Sequence, residues 1–582
     1  MQHDVTELVA RARAWQAEDP DPETREELAK LIEADGGSPA DGPAVASAGT
    51  GTELAARFAG TLQFGTAGLR GELGAGPMRM NRSVVIRAAA GLAAYLRGQL
   101  PEPGGQEGPG LVVIGYDARH KSHEFARDTA SVMTGAGLRA ALLPRPLPTP
   151  VLAFAVRRLG AVAGVMVTAS HNPPRDNGYK VYLGGGSQIV PPDDAAIAAR
   201  IDAVGPLAGV PRPESGWEVL GEDVVESYLA RTGAVLTEGM PRDVRTVHTA
   251  LHGVGSGTLL EAFRRAGFPE PLPVPEQATP DPDFPTVSFP NPEEPGAMDL
   301  AFATARATAA ESGPVDLVIA NDPDADRCAV AVPDRAAEGG WRMLSGDDVG
   351  ALLATHLVHK RARGTFATSI VSSSLVSRIA RAADLPYEET LTGFKWLARV
   401  DGLRYAFEEA LGYCVDPEGV RDKDGITAAL LVAELAAELK QADRSLTDLL
   451  DDLAVEHGLH ATGQLSVRVE DLSLIASAME RLRTSPPASL AGLAVVSSED
   501  LSEGSDLLPP TDGLRYHLAG DPGAGVEKAR VVVRPSGTEP KLKCYLEVVV
   551  AVRDQAALAA ARASARSVLA GLKADMAAAT GV

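Results

Sequence analysis

The sequence predicts an α/β protein with several domains, in which helices cover mainly parallel sheets. The chain has 582 residues, and at roughly 150 residues per domain this length suggests about four domains. Short apolar runs alternate with Ala- and Leu-rich helical stretches, as is typical of α/β layering. Nearly every apolar run continues directly into polar residues, and ligands bind at the carboxyl ends of strands in open α/β sheets.

The predicted elements follow one another along the chain. Residues 1–34 have the pattern of one or two helices, with Pro20 and Pro22 between them, and the small residues at 35–51 predict a linker. The Ala-rich stretch 554–579 predicts a closing helix. Further predicted loops are 101–110 and 518–528, and the predicted strands are 111–117, 163–170, 315–322, 364–374 and 529–536.

Shifts in composition near residues 236, 345 and 456 predict the domain boundaries. We expect three α/β domains at 1–235, 236–345 and 346–455, followed by a C-terminal domain at 456–582. No internal repeat is evident in the sequence.

Composition and charge exclude several classes of protein. The chain carries 55 basic and 77 acidic residues, a formal charge of −22, which argues against a general binder of nucleic acid or anionic membranes. Small anionic substrates stay possible if Arg and Lys cluster locally. No apolar run reaches the length of a membrane span or a signal peptide. The three cysteines form neither a CxxC motif nor a disulfide framework, so we expect a cytoplasmic protein.

The first candidate site is the segment Thr168-Ala-Ser-His-Asn-Pro-Pro174, which follows a predicted strand. The two prolines predict a turn that displays Ser170 beside His171, with Lys180 returning on the next strand. A serine becomes a nucleophile only when a base or a metal activates it. The segment lacks the G-x-S-x-G elbow of hydrolases, which disfavours acyl chemistry. An ordinary Ser/Asn/Pro turn is the alternative.

The second candidate site contains Asp322, Asp324 and Asp326, directly after an apolar strand. Three carboxylates in one tight loop need a counter-ion, and a hard divalent cation such as Mg²⁺ is the natural one. An EF-hand is excluded, because its sixth position would be Arg327 and its twelfth Pro333. A solvated acidic turn is the alternative.

The third candidate site follows the strand at 529–536. Its arginine, its hydroxyl side chains and a glycine that allows close backbone approach predict a phosphate-binding loop. No Walker motif occurs, so the phosphate need not belong to a nucleotide. A Pro/Gly turn with incidental polar residues is the alternative. The candidate phosphate ligands are Arg534, Ser536, Gly537, Thr538 and Lys541.

Two further segments, 392–396 and 407–413, carry Lys395 and the pair Glu408 and Glu409. The two glutamates could accept hydrogen bonds from sugar hydroxyls. On spacing alone, however, we favour surface charges on a helix.

These segments together resemble the α-D-phosphohexomutase family, in its phosphoglucomutase/phosphomannomutase branch, which includes phosphopentomutase-like members. The resemblance extends over about residues 55 to 550. It rests on five motifs in the family's order: TASHNPPRDNGYK (168–180), DPDADR (322–327), TGFKW (392–396), FEEALGY (407–413) and RPSGTEPKLK (534–543). Similar supporting segments are FGTAGLRG (64–71), GYDARHKS (115–122), ALHGVG (250–255) and FPNPEEPG (289–296).

The resemblance implies four domains around a central cleft: three α/β domains with mixed sheets and a smaller phosphate-binding C-terminal α+β domain. It implies that Ser170 is phosphorylated and, with the three aspartates, holds Mg²⁺. It implies that Arg70, His171 and Lys180 surround the transferring phosphoryl group, with Lys180 as proton carrier. The residues implied at the sugar are Arg327, Lys395, Glu408, Glu409 and Lys423. The chain has Ala410 where many relatives have Ser, which leaves the preferred sugar open.

The implied activity is an intramolecular phosphotransfer between hexose 1-phosphate and hexose 6-phosphate, with glucose or mannose as the sugar. A hexose 1,6-bisphosphate would be both intermediate and activator. The alternatives are a phosphopentomutase, a glucose-1,6-bisphosphate synthase, a phosphatase in which water completes the transfer, and a sugar-phosphate-binding protein without turnover. The expected partner is a small phosphosugar, without nucleic acid or membrane; the oligomeric state stays open.

Overall fold

The computed structural model describes residues 2–35, 50–65, 68–100, 109–469, 471–536 and 541–581. These residues form four sheets, of six, five, four and six strands, which we number domains I to IV. The first three sheets mix parallel and antiparallel strands and the fourth is antiparallel. The predicted four-domain α/β fold class is therefore confirmed, while the predicted domain boundaries stay predictions.

Domain I begins with the two predicted helices and then forms a sheet in the order β1-β5-β4-β2-β3-β6. The first helices pack on α3 through a small core of their own that includes Leu28, Leu54 and Phe58. Strands β2 and β4 are almost wholly buried, because helices cover both faces of the sheet. The helices are α1 (Gln2–Glu18), α2 (Pro22–Asp35), α3 (Thr50–Arg57), α4 (Arg82–Gln99), α5 (Ser122–Gly135), α6 (Thr149–Arg158), α7 (Asp193–Asp202) and α8 (Asp223–Thr232). The strands are β1 (Leu69–Glu72), β2 (Leu111–Tyr116), β3 (Arg139–Leu142), β4 (Ala163–Val167), β5 (Asp176–Leu183) and β6 (Glu218–Val219).

Domains II and III have the same construction with fewer elements, in sheet orders β11-β10-β9-β7-β8 and β13-β12-β14-β15. Side-chain caps begin three of their helices, at Ser345 before α11, at Asp424 before α14 and at Ser445 before α15. Domain II contains β7 (Thr246–Thr249), α9 (Gly255–Arg265), β8 (Leu272–Pro273), α10 (Asp299–Ser312), β9 (Leu317–Ala320), β10 (Ala329–Pro333) and β11 (Trp341–Met343). Domain III contains α11 (Gly346–His359), β12 (Thr365–Ser369), α12 (Leu375–Ala382), β13 (Tyr387–Thr390), α13 (Phe394–Leu397), β14 (Leu403–Glu408), β15 (Gly412–Cys414), α14 (Gly425–Gln441) and α15 (Leu446–His457).

Domain IV is an antiparallel sheet in the order β16-β21-β20-β19-β18-β17, packed against a long C-terminal helix. That helix confirms the closing helix predicted from the Ala-rich sequence. The elements are β16 (Leu459–Arg468), α16 (Leu472–Thr484), β17 (Ser489–Leu490), β18 (Leu493–Asp500), β19 (Leu514–Asp521), β20 (Val526–Pro535), β21 (Lys541–Val550) and α17 (Leu558–Thr580).

The first three sheets repeat one strand arrangement that the sequence does not reveal. Each has three adjacent parallel strands, β3-β2-β4, β8-β7-β9 and β13-β12-β14, and the last of them turns back into an antiparallel neighbour. The three turns are 168–175, 321–328 and 409–411. They carry Ser170, the aspartates and Glu409, so equivalent positions of three domains supply the candidate site.

Three local expectations are wrong. The strand at 163–170 ends at Val167, because Ser170 adopts a left-handed conformation with φ of 52°. The predicted loop at 518–528 is instead the tip of the β19–β20 hairpin, with a single 3₁₀ turn between the strands. Glu408 ends strand β14, so it is not a surface charge on a helix.

Apolar packing joins the domains around the candidate site. One hydrophobic cluster runs continuously through domains I, II and III, with members such as Phe154, Phe263 and Phe407. A smaller cluster joins domain III to domain IV, where Leu391 packs with Val532 and Tyr545. Among the described residues, no helix is both long enough and apolar enough to span a membrane.

Candidate active site

Ser170 lies where domains I and II meet. Its Oγ donates a hydrogen bond to Asp322 Oδ2 at 2.7 Å and lies 3.1 Å from His171 Nδ1. The side chain is almost completely buried. The turn therefore places the predicted nucleophile directly against the predicted metal loop.

Arg119 holds the Ser170 turn in place. Its guanidinium donates to the carbonyl oxygens of Ser170 and Asn172 at 2.6 Å, of Pro173 at 2.8 Å and of Asp176 at 3.1 Å. One planar cation thus satisfies four main-chain acceptors of a turn whose central serine has positive φ. On its other side the guanidinium stacks on a ring of domain II, Phe284, at 4.8 Å.

The three aspartates form the one group of acidic, His or Cys ligands with metal-site spacing among the described residues. One oxygen of each lies within 4.8 Å of the others, and all three side chains are fully buried. Domain I supports the loop, because Thr149 Oγ1 donates to Asp324 Oδ2 at 2.6 Å. Gly253 allows the close packing behind it, since a Cβ there would lie 2.3 Å from Pro323 Cα.

The electrostatics of this loop fit a divalent cation. Burial and the charges of Asp324 and Asp326 raise the pKa of Asp322 to about 8. Three carboxylates therefore do not all ionise here without added positive charge. Moreover, Asp324 Oδ1 and Asp326 Oδ1 are buried without any hydrogen-bond partner. Oxygen donors with free lone pairs are what a hard cation binds, so the residues fit a metal ion.

Two lysines neutralise part of this charge. Lys180 Nζ lies 2.7 Å from Asp324 Oδ2 and 3.0 Å from Asp326 Oδ2, and Lys423 Nζ lies 3.3 Å from Asp326 Oδ2. Burial alone would lower the pKa of Lys180, but the two aspartates raise it above its usual value. Lys180 is on strand β5, opposite Met166, which confirms its predicted return on the hairpin.

Arg70, His171 and Arg327 surround the same point. Arg70 Nη1 donates to Asn172 Oδ1 at 3.1 Å, and Arg327 Nε lies 3.9 Å from Asp322 Oδ2. Burial, followed by the charges of Arg327 and Arg70, holds the pKa of His171 well below its usual value. The imidazole next to Ser170 is therefore neutral.

The glutamates and Lys395 line the domain III side. Burial raises the pKa of Glu408, and the charges of Lys423 and Arg327 oppose this rise. Glu409 is fixed by Ser372 Oγ, which donates to its Oε2 at 3.1 Å. Burial, together with the charges of Arg534 and Arg399, lowers the pKa of Lys395 to about 8, and the charge of Asp194 opposes this fall.

Arg534, in the predicted phosphate-binding loop, thus lies near enough to Lys395 for its charge to affect the pKa of that lysine. Arg534 lies at the end of β20, and Ser536 directly follows that strand. The main-chain N–H of Ser536 donates to the carbonyl oxygen of Lys541, the first residue of β21, at 2.8 Å. Among the described residues, no hydrogen bond or ion pair joins Arg534 to Ser170 or the aspartates. Gly537 and Thr538 lie outside the described residues.

Sequence reasoning missed three residues of the site. Arg119 lies in the quoted GYDARHKS segment, but nothing in its spacing indicated that it binds the Ser170 turn. Thr149 has no motif around it. Lys543 lies opposite Arg534 in the pairing of β20 with β21. Its charge opposes the rise in pKa that burial causes at Glu293 and Glu409. Side chains two positions apart on a strand share a face, so the candidate Lys541 on β21 could have indicated Lys543.

Comparison with known proteins identifies the family. The sequence matches the phosphoglucomutase/phosphomannomutase alpha/beta/alpha domain I at residues 61–206, domain II at 226–337 and domain III at 345–456. It matches the C-terminal domain of that family at residues 525–565. The chain belongs to the phosphoglucomutase/phosphomannomutase family. The predicted activity of a phospho-sugar mutase, an intramolecular phosphotransferase of the isomerase class, is thereby confirmed.

Individual relatives agree with this family. A "Probable phosphomannomutase" of Haemophilus influenzae is 48% identical over 81% of this chain and 93% of its own length. A "Probable phosphoribomutase" of Schizosaccharomyces pombe is 37% identical over 83% of this chain and 86% of its own. Among solved structures, the open form of the Paramecium phosphoglucomutase parafusin superposes with a TM-score of 0.65 at 18% identity. The match covers 90% of this chain and 96% of that one. This phosphoglucomutase/phosphomannomutase fold is therefore shared well beyond sequence similarity.

Proposed function

We propose that Ser170 carries a phosphoryl group and exchanges it with a hexose monophosphate. The single observation that supports this best is the 2.7 Å hydrogen bond from Ser170 Oγ to Asp322 in a cluster of buried carboxylates. In the first step the free hydroxyl of the sugar forms a bond to phosphorus as the Ser170 Oγ–P bond breaks. The hydroxyl proton passes on to Ser170 Oγ, which leaves a hexose 1,6-bisphosphate and an unmodified serine.

Asp322, Asp324, Asp326 and a phosphoryl oxygen on Ser170 would hold Mg²⁺, which, when bound, supplies positive charge at the transferring group. Arg70 and Arg327 would donate to the same phosphoryl oxygens.

Lys180 is the proposed proton carrier. In the structure its charge is held by two aspartates, so it is an ammonium group. A cation that shared those carboxylates would weaken their hold on the proton and lower the pKa of Lys180. A lysine with a lowered pKa can accept and return a proton near neutral pH. His171, neutral and 3.1 Å from Ser170 Oγ, would orient the serine oxygen.

The second half of the reaction requires the bisphosphate to turn around. We propose that Arg534, Ser536, Gly537, Thr538 and Lys541 bind whichever phosphate is not reacting. Glu408, Glu409, Lys395 and Lys423 would bind the sugar hydroxyls between the two ends. One phosphate-binding loop that serves both ends makes a turned intermediate as reactive as the original.

The proposed sugar is glucose or mannose, which the family description names. A phosphopentomutase is the second candidate, because the Schizosaccharomyces pombe relative is named a phosphoribomutase and covers most of this chain. The choice between these sugars stays open because Ala410, half-buried in the β14–β15 turn, stands where many relatives have Ser.

The test is a substrate panel of glucose 1-phosphate, mannose 1-phosphate and ribose 1-phosphate, each with and without glucose 1,6-bisphosphate. We expect a hexose to have the highest kcat/KM; a clear preference for ribose 1-phosphate would transfer the proposal to the pentose. Peptide mass spectrometry should find one phosphate on Ser170. Ser170→Ala should lose essentially all turnover, whereas Ser227→Ala, at a half-buried serine on α8, should not. Full activity of Ser170→Ala would refute the mechanism, and stoichiometric release of inorganic phosphate would indicate a phosphatase.

A further inference from the structure

A pocket outside the central cleft is lined by three arginines of domain I and by residues of domain III. It has a volume of about 280 Å³, and its lining includes Arg157 and Arg158 of α6, Arg231 of α8, and Glu418 and Gly419 of domain III. A volume just below the usual range of roughly 300–1,000 Å³ for small-molecule pockets suits a small ligand.

Some of these arginines have structural partners. Arg231 forms a two-pronged pair with Asp416, at 2.6 and 2.7 Å, and Arg157 Nη1 donates to the Pro417 carbonyl at 2.9 Å. These bonds fix the 416–421 segment against α6 and α8. They also orient two guanidinium groups at the edge of the pocket.

Other arginines have no such partner. Arg158 and Arg421 are exposed, and neither has a hydrogen bond or an ion pair among the described residues. Arg421 is not itself in the lining, but it follows the lining residue Gly419 by two positions. Its charge, after the larger effect of burial, also helps to lower the pKa of Arg157. Arginines at helix ends interact favourably with the helix dipole, but this explanation does not apply to Arg421, which is in a loop.

The local charge balance defines the ligand. Arg157, Arg158, Arg231 and Arg421 carry four positive charges, and Asp416 and Glu418 carry two negative ones. The excess of two positive charges occurs on a chain with a formal charge of −22. Guanidinium groups bind phosphate through paired N–H donors.

We propose that this pocket binds a phosphate dianion, either free inorganic phosphate or the phosphoryl group of a small monoester. The site is separate from the active site and does not depend on the proposed function. The 416–421 segment, which supplies Glu418 and Gly419 to the lining, continues to Lys423. The Nζ of Lys423 lies 3.3 Å from Asp326 Oδ2. A bound anion would therefore contact the same loop that reaches the active site.

The test is equilibrium dialysis with radiolabelled inorganic phosphate on the full chain. The double variant Arg158→Gln/Arg421→Gln should bind one equivalent fewer than the wild type. The charge-matched control is Arg200→Gln/Arg381→Gln, two exposed arginines on α7 and α12 without ion pairs among the described residues, and it should bind as the wild type does. Equal stoichiometry in all three proteins would overturn the proposal.

Crystals soaked in selenate provide the location. We expect an anomalous selenium peak among Arg157, Arg158 and Arg231; peaks confined to the central cleft would overturn the site. Competition in the dialysis experiment separates the two sources of phosphate. Displacement of the additional equivalent by glucose 6-phosphate at lower concentration than by unlabelled phosphate indicates a monoester, and the reverse order indicates the free anion.

Discussion

Arg119→Lys should damage catalysis without removing any residue that touches the substrate. The wild-type guanidinium donates to four carbonyls of the 170–176 turn, at distances between 2.6 and 3.1 Å. A lysine ammonium is a single point with a shorter reach and cannot replace a planar fork. We expect at least two of the four bonds to be lost.

Each lost bond from a charged donor removes about 1–2 kcal/mol, so about 2–4 kcal/mol of the energy that orders the turn disappears. A misplaced nucleophile lowers the rate of the chemical step, and displacements of about 1 Å cost on the order of a hundredfold. We therefore predict a fall in kcat of about 10- to 100-fold. KM should stay within about threefold, because uniform binding of the distant phosphate is unaffected.

Steady-state kinetics with a hexose 1-phosphate measure both constants, and mass spectrometry measures the phosphate on Ser170. Arg97→Lys is the matched control, since Arg97 is also in domain I and donates to a single carbonyl, that of Ala136 at 2.7 Å. Added guanidinium at millimolar concentration should restore part of the activity of Arg119→Ala. A kcat for Arg119→Lys within twofold of wild type, or an equal loss in the control, would refute the positioning role.

Four other predictions follow from the site. Asp324→Asn should reduce kcat far more than it changes KM, because the metal it would help to hold acts mainly on the transition state; activity that survives exhaustive chelation would contradict this. Arg534→Ala should raise KM by roughly ten- to a hundredfold, Arg534→Lys should recover only part, and both should release hexose bisphosphate into solution, which chromatography detects. Lys395 is charged below and neutral above its pKa of about 8, so kcat/KM should fall as the pH rises through that value, and Lys395→Arg should remove the inflection from the pH profile. Ala410→Ser should change the ratio of kcat/KM for glucose 1-phosphate to that for mannose 1-phosphate while Ser170 stays phosphorylated; an unchanged ratio would exclude this turn from sugar selection.

The fold class could be predicted from the sequence, and so could the positions of the Ser170 turn and the Asp322 loop at the ends of strands. Ser170 and the Asp322 loop follow buried strands, and their residue types suggest their roles without any knowledge of distant contacts. Glu408 was misjudged, because two adjacent glutamates look alike on a strand end and on a helix surface. Only the pairing of β14 with β15 decides between them.

Long-range contacts account for what the sequence could not predict. Arg119 acts through main-chain carbonyls more than fifty positions away, and such acceptors leave no mark on the sequence. Thr149 contacts Asp324 across a domain boundary, a separation of 175 residues. The repeated strand order of domains I to III could not be predicted from the sequence. It lies in the main-chain hydrogen bonding between strands, whereas the side chains of the three domains differ.

That repeated arrangement has a consequence for how the enzyme can change. The proposed nucleophile, the proposed metal ligands and one proposed sugar contact, Glu409, occupy three separate copies of the same turn, each anchored in its own sheet. With these proposed roles, exchange of residues 409–411 would alter a sugar contact without rebuilding the two turns proposed to transfer the phosphoryl group. Such a division of labour makes a single scaffold evolvable: one copy can drift in specificity while the other two stay under the constraint of the chemistry.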